Sequence, residues 1–243
     1  MSTRASQARD VLAGADPEQA RLMAEQVILV DGKDNVIGRM SKRDAHLVKN
    51  DLPLHRAFSV LLFDTEGRML LQQRADAKVT FPAYWTNTVC SHPLYLPSEL
   101  GEEDKGDAVF GAKRAAIRKL SHELGVSPGA VTSTDLTFMT RILYRSECSD
   151  GVWGERELDY IFLIQKNVPL KPEKNEVQQV RYVTKPELEE MFYEAKTSEK
   201  LKMTPWFTII MERFVWPWWD VILRDGLSRL GELQDQRIHR FTG

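Results

Sequence analysis

Thr86-Asn87-Thr88-Val89-Cys90-Ser91-His92-Pro93 sets a thiol, a hydroxyl and an imidazole in consecutive positions, behind a short β-prone run and ahead of a proline that ends it. The chain has two cysteines in 243 residues, Cys90 and Cys148, so Cys90 belongs to neither a disulfide framework nor a cysteine-rich zinc site. A lone cysteine is ordinarily a buried spectator. Its neighbours give this one more scope. In a strand Cys90 and His92 share a face, because side chains alternate with a period of two, and a thiol beside a metal-binding or protonatable imidazole can be a reagent. Glu155 and Glu157 repeat that spacing at the start of another β-prone run, which puts two carboxylates on one face where a cation between them would relieve their repulsion.

Arg74-Ala75-Asp76-Ala77-Lys78 carries two cations four positions apart. The bland reading is a solvated charge cluster. The chemical reading is a diphosphate clamp, in which Arg74 supplies a planar fork and Lys78 a mobile point charge, with Lys42 as a third donor. His46 and His55 lie in or at the end of a polar, irregular stretch, residues 39–54, and a loop there would present both imidazoles at the rim of a sheet. Tyr144 and Trp206 read first as core aromatics, although an indole face also stabilises a cation.

The elements that must position these groups follow from the pattern of apolar residues. Residues 25–30 form an apolar run closed by Asp31-Gly32, a hairpin signal, before Val36-Ile37-Gly38. Residues 57–63 read as a buried strand, 64–67 as a turn and 68–74 as the returning strand. The acidic residues 97–106 read as a surface loop. From Asp107 the period becomes helical: Val109, Ala112, Ala116, Ile117, Leu120 and Leu124 form one stripe, with Gly125 as its C-cap. Glu123 projects near the edge of that stripe, and an inward carboxylate needs a cation or hydrogen-bond donors. Strands are expected at 136–145, with Phe138, Ile142 and Tyr144 inward, at 155–165 and at 177–183. Helices are expected at 185–196, opened by Thr184 and Pro186, and from Thr204-Pro205 onward. Residues 1–20 read as a disordered or weakly helical leader.

With 33 basic against 35 acidic residues the net charge is −2, which argues against a general nucleic-acid or anionic-membrane partner. No apolar run approaches the ~18 residues of a membrane span, and the N-terminus lacks the apolar centre of a secretory signal. Two cysteines fit a reducing compartment, so the expectation is a cytoplasmic enzyme, with organelle targeting left open.

Taken with Trp153-Gly154-Glu155-Arg156-Glu157-Leu158-Asp159-Tyr160 downstream, the stretch around Cys90 resembles type I isopentenyl-diphosphate Δ-isomerase of the Nudix superfamily, from about Glu25 to about Trp219. The resemblance implies an α/β (α+β) Nudix-type fold, a mixed β-sheet between helices with terminal extensions. It implies one domain over residues 25–243 with C-terminal helices, after a flexible leader at 1–24. The activity implied is the interconversion of isopentenyl and dimethylallyl diphosphate. A proton is added to an unactivated alkene and another is removed from the neighbouring carbon, which requires water exclusion, a strong donor and stabilisation of a tertiary carbocation.

The resemblance also assigns roles. Cys90 and Glu157 would handle the protons on opposite faces of the substrate, Tyr144 would hydrogen-bond on the carboxylate side, and Trp206 would supply the cation–π face. Lys42, Arg74, Lys78 and Ser91 would grip the diphosphate. His46, His55, His92, Glu155 and Glu157 make a mixed nitrogen and oxygen donor set that suits octahedral magnesium or manganese better than a closed tetrahedral zinc site. Glu123 would help hold a magnesium ion on the diphosphate. The expected cofactors are therefore Mg2+ and a second divalent site taking Mg2+, Mn2+ or Zn2+. The expected partner is isopentenyl diphosphate, with no nucleic acid and no membrane, and the expected state is a monomer.

The Nudix pyrophosphohydrolase box, Gly-x5-Glu-x7-Arg-Glu-U-x-Glu-Glu-x-Gly-U with U aliphatic, falls on the helix after Asp107. Here Lys119 and His122 replace two acidic positions, and Phe110 and Asp104 replace the earlier Glu and Gly. Hydrolysis by this box needs several carboxylates to hold magnesium, so the single remaining Glu123 argues against a hydrolase. A Nudix hydrolase and a non-catalytic diphosphate-binding module remain the alternatives.

Overall fold

The computed structural model describes residues 11–241, so the first part of the expected leader lies outside the described residues. The rest of the leader holds a short helix, α1 (Pro17–Leu22). Asp16 caps it by accepting hydrogen bonds from the backbone N–H groups of Glu18 and Gln19, and Pro17 presets φ in the first turn. The hairpin expected next is present as β1 (Gln26–Val30) and β2 (Val36–Ser41), paired antiparallel from Gln26↔Ser41.

Residues 39–54 are more ordered than the loop expected there. β2 runs on to Ser41, α2 (Lys42–Ala45) follows at once, and a 3-10 turn covers Val48–Asn50. Four residues are too few to show a helical period in sequence. The signal for α2 is its cap: Ser41 Oγ accepts from the Asp44 N–H at 3.1 Å.

β3 (His55–Phe63) is buried at every position. It pairs parallel with β8 (Gly154–Gln165) along its whole length and antiparallel with β4 (Met69–Arg74) and β6 (Val89–Ser91). β5 (Trp85–Thr86) and β9 (Val177–Val183) join β4, while β7 (Thr137–Glu147) runs antiparallel to β8 and carries β10 (Ile238–Arg240) on its outer edge. The result is a mixed sheet.

Each face of the sheet has its own apolar layer. On one side α4 (Ala108–Leu124) lays Ala112, Ala115, Ala116, Leu120 and Leu124 against Phe58, Val60, Leu62 and Phe162. Small residues bring it close: a Cβ on Gly111 would stand 2.2 Å from the Glu99 carbonyl oxygen of α3 (Pro97–Leu100). On the other side α5 (Lys185–Thr197), α6 (Pro205–Ile210) and α7 (Trp216–Asp225) bury Leu188, Trp206, Phe207, Trp218 and Trp219 against Leu61, Phe63, Ile161 and Leu163. At about 1.5–3 kcal/mol for each fully buried large apolar side chain, these two layers dominate the stabilisation of the fold. The strand expected at 136–145 breaks its own alternation. A bulge between Phe138 and Thr140 turns Phe138 to the α4 side, while Ile142 and Tyr144 stay on the α6 side.

Candidate active site

The backbone register brings the chemistry together at one end of β3 and β8. His55 is the direct partner of Glu157 across that parallel pair, Tyr144 of β7 is the antiparallel partner of the same Glu157, and Ser59 faces Cys90 across β3 and β6. His46 caps the C-terminal end of α2 and is tied to β8 by the Gly154 N–H, which donates to its carbonyl at 3.0 Å. His92 stands just beyond β6.

The three imidazoles form a triangle with ring centroids 4.8, 4.9 and 5.0 Å apart. Their Nε2 atoms converge on Glu157 Oε1, at 2.6 Å from His92, 3.5 Å from His55 and 3.9 Å from His46. His46 Nδ1 lies 2.7 Å from the Lys42 carbonyl and His55 Nδ1 lies 2.8 Å from the Pro53 carbonyl. Carbonyls only accept, so each Nδ1 carries the proton and each Nε2 presents a lone pair. Those two Nε2 atoms are buried with no hydrogen-bond partner, an arrangement that is costly unless something else binds them. One ligand atom from each of His46, His55, His92 and Glu157 lies within 4.8 Å of the others. This donor set fits a divalent ion. Burial also pushes the His46 imidazole well below its usual value and the His92 imidazole down to about 3, so both are neutral, as metal ligands must be.

Glu155 lies beside this quartet but outside it. Where sequence reasoning asked for a cation between the two carboxylates, the structure places a phenol. The Tyr144 hydroxyl contacts Glu157 Oε2 at 2.6 Å and Glu155 Oε2 at 3.0 Å. Burial, with the neighbouring Glu157 charge, raises the Glu155 carboxyl to about 7. Burial acts upward on Glu157 too, but His92, with Nε2 2.6 Å from Oε1, outweighs it and holds that carboxyl well below the usual range. Burial, with the charges of Asp159, Glu157 and Glu155, keeps the Cys90 thiol protonated. Burial, with Glu155 and Glu157, does the same for the Tyr144 phenol.

Cys90, His92, Glu155, Glu157 and Trp206 line one cavity with Lys42, Arg74 and Lys78. Its volume is about 20 Å³, room for about one water molecule, and Gln19 and Met23 of the leader help to close it. Trp206 is almost fully buried, with the Arg74 guanidinium 5.5 Å from its ring centre. Arg74 itself donates to the carbonyls of Thr80 and Phe81.

Tyr144, His46 and His55 stand behind the lining, against Glu157, whereas Ser91 and Glu123 belong neither to the lining nor to that cluster. Ser91 follows Cys90 in β6 and so faces the opposite side of the strand, opposite Phe58. Glu123 is buried on α4, where Lys119 Nζ at 3.1 Å and Gln72 Nε2 at 3.1 Å satisfy it. Lys119 also approaches Glu176, which pairs with Lys78 and accepts from Gln19. Sequence reasoning missed Lys119, Glu176 and Gln19. Lys119 was visible only as a defect in the Nudix box, and the other two carry no local signal.

The NUDIX domain family matches residues 53–207. Isopentenyl-diphosphate Delta-isomerase 1 of Bos taurus is 49% identical over 229 residues, spanning 93% of this chain and 96% of the bovine one. The isopentenyl-diphosphate delta-isomerase of Gibberella zeae is 47% identical, spanning 95% of this chain and 88% of its own. A chloroplastic isopentenyl-diphosphate Delta-isomerase of Cannabis sativa is 43% identical, spanning 95% and 79%. Among solved structures, DR0079 from Deinococcus radiodurans superposes with a TM-score of 0.51 at 14% identity over 78% of this chain and 99% of that one, a likeness of fold alone. With the NUDIX match across most of its length and such identity along nearly all of it, the chain belongs to the isopentenyl-diphosphate delta-isomerase family of NUDIX proteins.

Proposed function

We propose that this chain interconverts isopentenyl diphosphate and dimethylallyl diphosphate by adding a proton to one carbon of the double-bond system and removing one from another. The observation that carries this reading is one small cavity that both Cys90 and Glu157 line, where burial favours the thiol form of Cys90 and the neighbouring His92 favours the carboxylate of Glu157. One group gives a proton while the other takes one, and the reverse reaction exchanges their parts. Tyr144 donates to the carboxylate and steadies it as its protonation changes. Trp206 offers its ring to the positive charge that develops on the tertiary carbon. The cavity has room for about one water molecule, so a bound substrate would leave little water to capture that carbocation.

His46, His55, His92 and Glu157, with Glu155 alongside, would hold a divalent ion: magnesium, manganese or zinc. When bound, the ion supplies positive charge that fixes Glu157 in place and favours its ionised form. Lys42, Arg74 and Lys78, which line the cavity, bind the diphosphate. We assign residues 25–243 to one domain with a leader at 1–24, acting as a monomer in the cytoplasm, where two free cysteines are at home. Lys119 occupies a box position where hydrolysis would need a carboxylate, and it pairs with the Glu123 that remains.

Cys90→Ser tests the reading. The variant should keep the fold and its bound metal while losing turnover of isopentenyl diphosphate. Near-normal turnover would remove Cys90 from the chemistry, and release of phosphate by the wild type would replace isomerisation with hydrolysis.

A further inference from the structure

Trp206 does not owe its place to apolar packing alone. Its indole N–H donates to Asn87 Oδ1 at 3.1 Å, and the Asn87 side chain is fully buried and fully engaged. Its amide nitrogen donates to the carbonyls of Val60 and Val89 at 3.0 Å each. Its oxygen accepts from Trp206 and from Thr86 Oγ1, at 3.0 Å. An indole N–H only donates and a carbonyl only accepts, so these partners leave one orientation for the amide. Thr86 Oγ1, having given its proton to Asn87, accepts from Thr204 Oγ1 at 2.8 Å, two residues before Trp206.

Asn87 sits where the chain passes from β5, paired with β4, to β6, paired with β3. Its amide spans the gap between those ladders and grips the carbonyl next to Cys90. One side chain is therefore bonded to the strand that carries the thiol and to the ring of Trp206.

The geometry points to Asn87 as the positioning residue that sets the Trp206 ring relative to Cys90. This rests on the proposed role of Trp206 as the aromatic face over the reacting carbons. A cation–π contact acts only within about 6 Å of the ring centre, and a misplacement of about 1 Å in a catalytic group can cost about a hundredfold in rate. Of the cations assigned to the diphosphate, Lys42 and Lys78 make no hydrogen bond to Asn87, and Arg74, though 5.5 Å from the Trp206 ring centre, is anchored by the Thr80 and Phe81 carbonyls, so substrate binding should be spared.

The test compares Asn87→Ala and Trp206→Phe, with a third protein carrying benzothienylalanine at position 206, which keeps the ring and replaces its N–H with sulfur. In Asn87→Ala, kcat for isopentenyl diphosphate should fall about 10- to 100-fold with KM within about twofold. The Trp206 indole 1H–15N resonance, assigned by its loss in Trp206→Phe, should shift and lose exchange protection. A merely structural asparagine would shift that resonance too, but would leave kcat per folded enzyme unchanged. The benzothienylalanine protein, in which Asn87 is intact, should lose kcat in the same way, and it decides the matter if Asn87→Ala does not fold. Wild-type kcat in either protein overturns the inference. Wild-type kcat in Trp206→Phe overturns instead the role given to Trp206, while a loss in Trp206→Phe alone sinks only Asn87.

Discussion

Tyr144→Phe removes one oxygen from the centre of the site and leaves the aromatic packing in place. Two contacts disappear, at 2.6 Å to Glu157 and 3.0 Å to Glu155, both fully buried. A hydrogen bond to a charged group contributes about 1.5–3 kcal/mol. Because the Glu157 contact is the shorter and that carboxylate changes protonation during turnover, a loss of that size should appear in kcat as about 10- to 150-fold. The phenol touches none of the cations assigned to the diphosphate, so KM should change by less than about twofold. Stability should fall by a similar amount, which lowers Tm by about 3–12 °C for a chain of this size. The Tyr144 bond is also one of the influences drawing the Glu155 carboxyl down, so in the variant that carboxyl should titrate above about 7. Steady-state kinetics with isopentenyl diphosphate and a thermal melt are the assays. An unchanged kcat, or a raised KM with kcat intact, would refute the placing of this hydroxyl in the chemistry.

Burial, reinforced by the charges of Lys78 and Lys119, draws the Lys42 ammonium down to about 8 from its usual 10.5. Between those values the unfolded chain binds the extra proton, so this group's contribution to stability grows with pH across that window. Substrate binding runs the other way: KM should climb above about pH 8 as the charge is lost, and Lys42→Arg, which stays protonated, should flatten the climb. An unaltered climb in that variant would clear Lys42 of the effect. Chelator-treated protein given Mn2+ at about a hundredfold excess over Kd should gain about 2.7 kcal/mol of stability. His55→Ala should lose both the gain and the ion, measured by mass spectrometry of the native protein, and an equal gain would disperse the proposed ligand set.

The readable part of the site was the part built on period-two spacing. Glu155 and Glu157 keep their alternation in β8, and Cys90 of β6 and His92 just beyond it line the same cavity, so a strand assignment was enough to pair them. His46 and His55 could be named as candidates, but their convergence needed α2, whose four residues rest on a Ser41 cap rather than a period. Alternation misled at Phe138, where a bulge inverts the face; at Ser91 it held, since one residue after Cys90 means the other face of β6, whereas the binding role expected there came from the resemblance. α4 was legible through its apolar stripe and Gly125, which ends it at φ 63. The demand that inward Glu123 find a cation was met by Lys119, one turn earlier on the same helix. Nothing local announces that Gln19 of the leader would reach Glu176, 157 positions away. Contacts of that range are set by the packing of whole elements, as is the bond from Trp206 to Asn87.

Proton NMR of isopentenyl diphosphate incubated with the purified protein and magnesium in deuterated water addresses the central claim directly. Conversion to dimethylallyl diphosphate with solvent deuterium carried into the product is the expected result, because protons are exchanged through Cys90 and Glu157 at each turnover. Substrate that remains unchanged, or product formed without deuterium, would contradict it.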